Sequence, residues 1–133
     1  MARVRPDEAA SLAAYRYFNA FGGWVADPSN YTIAVRGPGR AALSYNAYLG
    51  AFTAVSASIW DVSVELRRSP APTGPFAEPE GLVDAIPTDG FFIAGGSEHA
   101  ALRSVDGRTL AITYFTRSST RPSGLHLVSY RLR

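Results

Sequence analysis

Short runs of aromatic and β-branched residues recur from Tyr15 onward, and clusters of Gly, Pro, Asn and Asp separate them. This pattern is typical of antiparallel strands joined by turns. Residues 61–68 show it most clearly, because Val62, Val64 and Leu66 alternate with polar residues, as on a strand with one buried face. The sequence therefore predicts an all-β fold made of antiparallel strands.

The N-terminal stretch departs from this pattern. Pro6 is followed by Asp7, Glu8 and an Ala-rich segment that ends at Ala14. Acidic residues in a first turn and a high alanine content both favour a helix. We expect one short helix here and strands elsewhere.

The turn residues give approximate strand positions. Gly50 and the Asp106-Gly107 pair predict two tight hairpins, because glycine accepts the positive φ that such turns need. The three prolines in residues 69–75 predict a surface turn that leads to an edge strand near Phe76. The remaining strands are expected at residues 15–18, 32–35, 42–46, 51–58, 61–68, 98–104, 109–115 and 125–132.

Composition limits the classes of protein and partner. The chain has 133 residues, of which 47% are hydrophobic and 18% charged, as expected for one folded domain. The absence of cysteine excludes disulfides and thiolate-bound metals. Thirteen basic residues face eleven acidic ones with no basic arm, so we expect no nucleic-acid partner.

Membrane and export signals are also lacking in the sequence. Polar residues interrupt every apolar stretch before it reaches the roughly 18 residues that a spanning helix needs, so no membrane partner is expected. Arg3 and Arg5 are followed by Asp7 and Glu8 instead of the apolar region of a secretory signal. We therefore expect no signal peptide in this chain.

Two later blocks of the sequence share one plan. Residues 42–82 and 98–133 each predict a strand, a tight turn, a long second strand, a loop and a third strand. The first block adds a short fourth strand, whereas the second block has three. The spacing of the blocks, roughly 50 residues, falls within the range of four-stranded propeller blades.

Particular segments carry a family likeness. They are Gly-Gly-Ser-Glu-His at 95–99, Ser-Val-Asp-Gly-Arg at 104–108, the strand pattern at 110–115, and Arg117. These segments resemble the last blade of the five-bladed β-propeller glycosidases of the arabinanase and β-xylosidase type. Residues 43–76 look like the preceding blade, most closely that of a bacterial branch known as a domain of unknown function. Residues 15–28 are similar to the end of the blade before.

The resemblance implies an incomplete five-bladed propeller of antiparallel four-stranded blades, with a short N-terminal helix. Residues 1–36 would form the end of one blade and a linker, 37–89 one blade, and 90–133 a last, three-stranded blade. Five blades need roughly 250 residues, so most of the propeller is missing. The expected partners are therefore the missing blades or further copies of the chain, besides a polysaccharide or oligosaccharide. The family likeness also implies an extracellular location.

Catalytic residues cannot be assigned from the sequence. Glycoside hydrolysis needs two facing carboxylates, one of them protonated, roughly 5–9.5 Å apart. The spacing of Asp61, Glu65, Asp89 and Glu98 reveals no such pair. In the family that the chain resembles, the catalytic carboxylates come mainly from earlier blades. We therefore expect a piece of a glycosidase-like propeller that acts on or binds polysaccharide and is inactive by itself.

Two other hypotheses stay open. One is a non-catalytic β scaffold for self-association or carbohydrate binding. The other is an unrelated β-sandwich whose turns match the propeller pattern by chance. The two differ in how the sheet edges are covered, since a sandwich would seal them within the chain.

Five residues are candidates for binding. Trp60 beside Asp61 offers an aromatic platform next to a carboxylate, and Tyr45 and Tyr48 are further candidate sugar contacts, although such aromatics often belong to a core. The resemblance places His99 on the propeller axis, near a Ca²⁺ or another cation in some members. The alternative is a histidine hydrogen-bonded at the start of a strand, because one ligand does not make a metal site.

Overall fold

The structure is a computed structural model that describes residues 1–31, 41–58, 63–84, 92–117 and 122–133. It confirms an all-β chain with antiparallel sheets. Within the described ranges the helices are single turns, no sheet closes on itself, and no helix has the length and apolar character to cross a membrane. The chain divides into two compact units, Met1–Arg36 and Gly37–Arg133.

The first unit contains a small antiparallel sheet. Its strands are β1 (Ala2–Arg3), β2 (Arg16–Phe18) and β3 (Trp24–Val25), in the order β1-β2-β3. The strand predicted at 15–18 is thus confirmed, whereas the one predicted at 32–35 lies outside the described residues.

The predicted N-terminal helix is replaced by two 3-10 turns, Pro6–Glu8 and Leu12–Ala14. Neither turn has a side-chain cap, and neither buries a residue. Helices of this length are unstable in water unless an apolar face packs on a neighbour. Alanine content and an acidic first turn were therefore not enough for a longer helix.

The second unit begins with a four-stranded sheet. Consecutive strands pair in the order β4-β5-β6-β7, each antiparallel to the next. These strands are β4 (Ala41–Asn46), β5 (Ala51–Ser58), β6 (Ser63–Ser69) and β7 (Glu80–Asp84). Gly50 has a φ of 59° in the β4–β5 turn, which confirms the first predicted hairpin.

A three-stranded sheet follows in the same unit. It consists of β8 (Phe92–Glu98), β9 (Thr109–Arg117) and β10 (Gly124–Arg131), and β9 lies in the middle. The strands predicted at 109–115 and 125–132 are confirmed to within two residues at each end.

The strand predicted at 98–104 is wrong, because β8 ends where that strand was expected to begin. A 3-10 turn, Ala100–Leu102, follows it. A Gly-Gly pair favours a loop, but Gly95-Gly96 forms an irregularity inside β8, where the register with β9 shifts and Gly95 has a φ of 65°. Glycine inside a strand is a known marker of such bulges and of close backbone approach.

The edge strand predicted near Phe76 is also displaced along the chain. Ala77 donates one backbone hydrogen bond to Arg68 O at 2.8 Å, but β7 starts only at Glu80. Pro75 and Pro79 have no amide hydrogen to donate, so regular pairing with β6 cannot extend through them.

A hydrophobic core joins the two sheets of the second unit. Strand β8 packs over β5, and side chains from both sheets are fully or almost fully buried between them. The core consists of Val55, Ala57, Val64, Leu66, Leu82, Ile93, Leu110, Ile112 and Leu132. Burial of these apolar side chains is the main force that holds one sheet on the other.

Candidate functional site

Asn46 connects the β4–β5 turn to the turn that precedes β9. Its side chain is completely buried, and Nδ2 donates to Gly107 O at 3.0 Å. Its Oδ1 accepts a hydrogen bond from Leu49 N at 3.2 Å. A buried amide that is bonded at both ends fixes the position of both turns.

Gly107 is required at this contact for two reasons. Its φ is 74°, which L side chains rarely adopt. A Cβ at this position would also lie 3.1 Å from Asn46 Oδ1 and 3.2 Å from Tyr48 N. The Asp106-Gly107 hairpin predicted from the sequence is therefore a tight turn that leans directly on the β4–β5 turn.

Asp106 stabilises the same turn. Its Oδ1 accepts hydrogen bonds from Ser104 Oγ and, at 3.0 Å, from Arg108 N. These bonds, that from Ser104 first, hold the pKa of Asp106 below its ordinary value, and the charges of Arg108 and Arg131 act in the same direction. The carboxylate is thus ionised at neutral pH and its Oδ1 is occupied by the turn.

Two of the predicted sugar contacts, Tyr45 and Tyr48, lie on the β4–β5 hairpin. Tyr48 is 41% exposed in the turn, and the guanidinium of Arg108 lies 5.4 Å from its ring centroid. Tyr45 is 54% exposed, and its ring packs edge-on against Phe52, its cross-strand partner, at 5.2 Å. Both rings therefore keep open surface on a well-anchored hairpin.

His99 lies directly after β8 and not at the start of a strand, as the sequence had suggested. Its backbone N donates to Ala111 O at 2.9 Å, and its Nε2 shares a 2.8 Å hydrogen bond with Thr113 Oγ1. Ca²⁺ prefers several oxygen ligands. No group of three or more His, Asp or Glu side chains suited to a metal occurs among the described residues. His99 alone does not fit such a site, and the axial cation stays a prediction.

Trp60 and Asp61, the other predicted contacts, lie outside the described residues. The same holds for Asp89. Their proposed roles stay predictions from the sequence.

Sequence reasoning missed a buried ion pair between Glu98 and Arg103. The Glu98 side chain has no exposed surface and that of Arg103 is 10% exposed. Arg103 Nε donates to Glu98 Oε1 at 2.7 Å, and Arg103 Nη1 donates to Tyr45 O at 2.7 Å. The other carboxylate oxygen accepts from Ser44 Oγ at 2.8 Å. The pair thus ties the segment after β8 to strand β4.

No local signal in the sequence points to this cluster. Glu98 and Arg103 are five residues apart across a 3-10 turn, and Ser44 precedes Glu98 by 54 residues. Only the packing of β8 on the four-stranded sheet brings these groups together. Glu98 and Arg103 both fall within the strand predicted at residues 98–104, where side chains five residues apart point to opposite faces.

Both buried glutamates have arginine partners. Glu98 pairs with Arg103, and Glu65 lies 3.5 Å from Arg67 Nη2. A glycosidase needs one carboxyl that can hold a proton facing a second carboxylate. In the described part of the chain each of these glutamates forms its ion pair with an arginine and not with a second carboxylate.

The fold and the site together define an all-β protein with antiparallel sheets and an exposed tyrosine hairpin. No protein-family model matches the chain, and no curated protein matches its sequence.

Proposed function

We propose that this chain is part of a glycosidase-like β-propeller and that it binds polysaccharide without cleaving it. The observation that carries the proposal is the tyrosine hairpin, in which Tyr45 and Tyr48 keep large exposed fractions beside a buried Asn46 that is hydrogen-bonded through both Nδ2 and Oδ1. Aromatic rings that are held in place lose little entropy when a ligand stacks on them.

The arrangement of the sheets supports the propeller part of the proposal. Each sheet of the second unit is a meander of consecutive antiparallel strands, and the first strand of the second sheet packs on β5 of the first. Radially repeated sheets that pack on one another in chain order are the construction of propeller blades. The family resemblance of the same segments favours this interpretation over a sandwich.

The chemistry of the acids supports the non-catalytic part. Glu65 and Glu98 pair with arginines, and among the exposed acids Asp7 pairs with Arg5 and Glu80 with Arg68. Binding needs only a stacking surface with nearby donors, and the hairpin offers both.

A binding experiment tests the role of the hairpin. We expect migration of the purified chain to be retarded in native gels that contain arabinan or xylan. Tyr48→Ala should weaken retardation at least about tenfold, because stacking is lost, and Tyr48→Phe should keep most of it. Tyr31, which is exposed in the first unit, provides the control, since Tyr31→Ala should bind like the unaltered protein.

Two results would contradict this function. One is unretarded migration of the unaltered chain in every polysaccharide gel. The other is unchanged retardation of a double Tyr45→Ala, Tyr48→Ala variant whose thermal unfolding is normal. Hydrolysis of aryl glycosides by the purified chain would refute the non-catalytic part alone.

A second candidate function, self-association, is favoured by the outer face of the three-stranded sheet. Leu125 and Leu127 are 75% and 64% exposed there, and Phe115 is the cross-strand partner of Leu125 on the same face. Adjacent exposed apolar side chains mark interaction surfaces. In the described residues β10 pairs on one side only, so a twofold axis can join it to β10 of a second copy.

Light scattering after size-exclusion chromatography tests this candidate. We expect the unaltered chain to form a concentration-dependent dimer and a Leu125→Ser, Leu127→Ser variant to shift toward monomer. Val105→Ser, which changes a fully exposed apolar residue in a turn, should leave the dimer intact. A chain that is monomeric at every concentration would rule the candidate out.

A further inference from the structure

We propose that Arg108 and Tyr48 form a subsite for a carboxylated saccharide, in which Tyr48 stacks on the sugar ring and Arg108 binds the carboxylate. This inference rests on the proposed binding of polysaccharide and names the chemical class of the ligand.

Arg108 is held in one orientation by contacts at both ends of its side chain. Its backbone O accepts a hydrogen bond from Leu132 N, and its backbone N donates to Asp106 Oδ1. Its Nε donates to Leu132 O at 3.3 Å, and its guanidinium carbon lies 5.4 Å from the centroid of Tyr48. A guanidinium that is already fixed loses less entropy on binding than a free one.

The two terminal nitrogens of Arg108 are available for a ligand. Within the described part of the chain neither Nη1 nor Nη2 makes a hydrogen bond or an ion pair. By contrast, the guanidinium of Arg103 is fully engaged by Glu98, Ser44 and Tyr45. The parallel N–H groups of a free guanidinium match the two oxygens of a carboxylate.

The charges around the subsite favour an anion. Asp106 is the acid that faces Arg108, and its Oδ1 already accepts from Ser104 and from the Arg108 backbone. The charge of Arg131 also lowers the pKa of Asp106, so in the described part of the chain two arginines act on this one aspartate. Asp106 and Arg131 are exposed and Arg108 is half-buried. Two positive charges and one negative charge favour an anion over a cation.

Tyr48 supplies the apolar half of the subsite. It is 41% exposed, while Asn46 and Gly107 fix the two turns that carry Tyr48 and Arg108. Groups that lie on rigidly connected turns keep their spacing when a ligand binds. A neutral sugar can use only the ring, whereas a uronic acid can use the ring and the guanidinium together.

Calorimetry with matched ligands tests the subsite. The probes are oligogalacturonate and the same oligosaccharide with its carboxyls methyl-esterified. We expect the acidic form to bind about tenfold more tightly, because a charge-assisted bidentate contact is added to the same stacking. Arg108→Gln should remove this preference and keep the binding of the ester, and Arg108→Lys should retain only part of the preference.

Arg117→Gln is the matched control, since it removes the same charge from an exposed residue at the far end of β9. It should keep the preference for the acidic form. Equal affinity of the unaltered protein for both forms, or an equal effect of the two Gln variants, would overturn the subsite and leave polysaccharide binding intact. Failure to bind these ligands and neutral polysaccharides alike would overturn the proposed function as well.

Discussion

Gly96→Ala is expected to lower the free energy of unfolding by about 2–3 kcal/mol, because the added methyl group meets backbone that cannot move aside. A Cβ on Gly96 would lie 2.6 Å from Ala57 N and 2.7 Å from Ser56 C. Both atoms belong to β5, an inner strand of the four-stranded sheet β4-β5-β6-β7. The four-stranded and three-stranded sheets would have to move apart at this contact.

Thermal unfolding measures this effect against two other glycines. Gly95 has a φ of 65° with open space around it, so Gly95→Ala should cost about 1–2 kcal/mol through backbone strain alone. Gly124 has its nearest neighbour at an ordinary 3.5 Å, so Gly124→Ala should be close to neutral. All three glycines lie in the unit Gly37–Arg133. At about 4–8 °C per kcal/mol for a unit of up to about 100 residues, the three variants are distinguishable. Equal melting temperatures for Gly96→Ala and Gly124→Ala would show that β8 does not approach β5 this closely.

Arg103→Met is expected to destabilise the protein by about 3–5 kcal/mol, because it leaves the Glu98 carboxylate buried without its counter-charge. The loss also removes the hydrogen bond to Tyr45 O and so loosens the tie between β4 and the segment after β8. Chemical denaturation of the purified variant measures the change.

Arg68→Met is the matched control for this substitution. The Arg68–Glu80 pair is about half exposed on both sides, and exposed pairs contribute under about 1 kcal/mol. A double Glu98→Leu, Arg103→Met variant should recover part of the loss, since no unpaired charge is then buried. Similar losses for the two single Arg variants would refute the role of Glu98 as a buried charge that depends on Arg103.

Both predictions concern the geometry on which the candidate site depends. Gly96 sets the distance between the sheets, and the Glu98–Arg103 pair fixes the end of β8 against the tyrosine hairpin. Asn46 and Gly107 then hold the two turns that carry Tyr48 and Arg108. A binding site on the two turns that carry Tyr48 and Arg108 is therefore as rigid as the contact between the two sheets.

The hairpins could be predicted from the sequence because their signals are local. Gly50 and Asp106-Gly107 lie in turns, and the strands beside them begin and end close to the expected residues. The strand predicted at 98–104 is wrong because its true position depends on contacts that are distant in sequence. Gly95-Gly96 has the composition of a loop, and only the nearness of β5 explains glycines inside a strand.

The candidate site was predictable only in part. Tyr45 and Tyr48 could be selected as aromatic residues near a turn, and both are exposed on the hairpin. Arg108 was not selected, because its free terminal nitrogens and its position over Tyr48 arise from contacts with Leu132 and with a turn 60 residues away in the chain. His99 was expected at the start of a strand but follows the end of β8. The cause is again that glycines inside β8 have the composition of a loop.

The sequence by itself determined that this chain is all-β, antiparallel and built from consecutive hairpins. The two signals were the alternation of apolar and polar residues and the residue types in the turns. Both signals act between neighbours in the chain, where backbone geometry and side-chain periodicity determine strands and turns. Tertiary structure alone decided which strands approach closely, which charges are buried and that Arg108 lies over Tyr48. Those outcomes depend on desolvation and packing between residues far apart in sequence, and no local pattern encodes them.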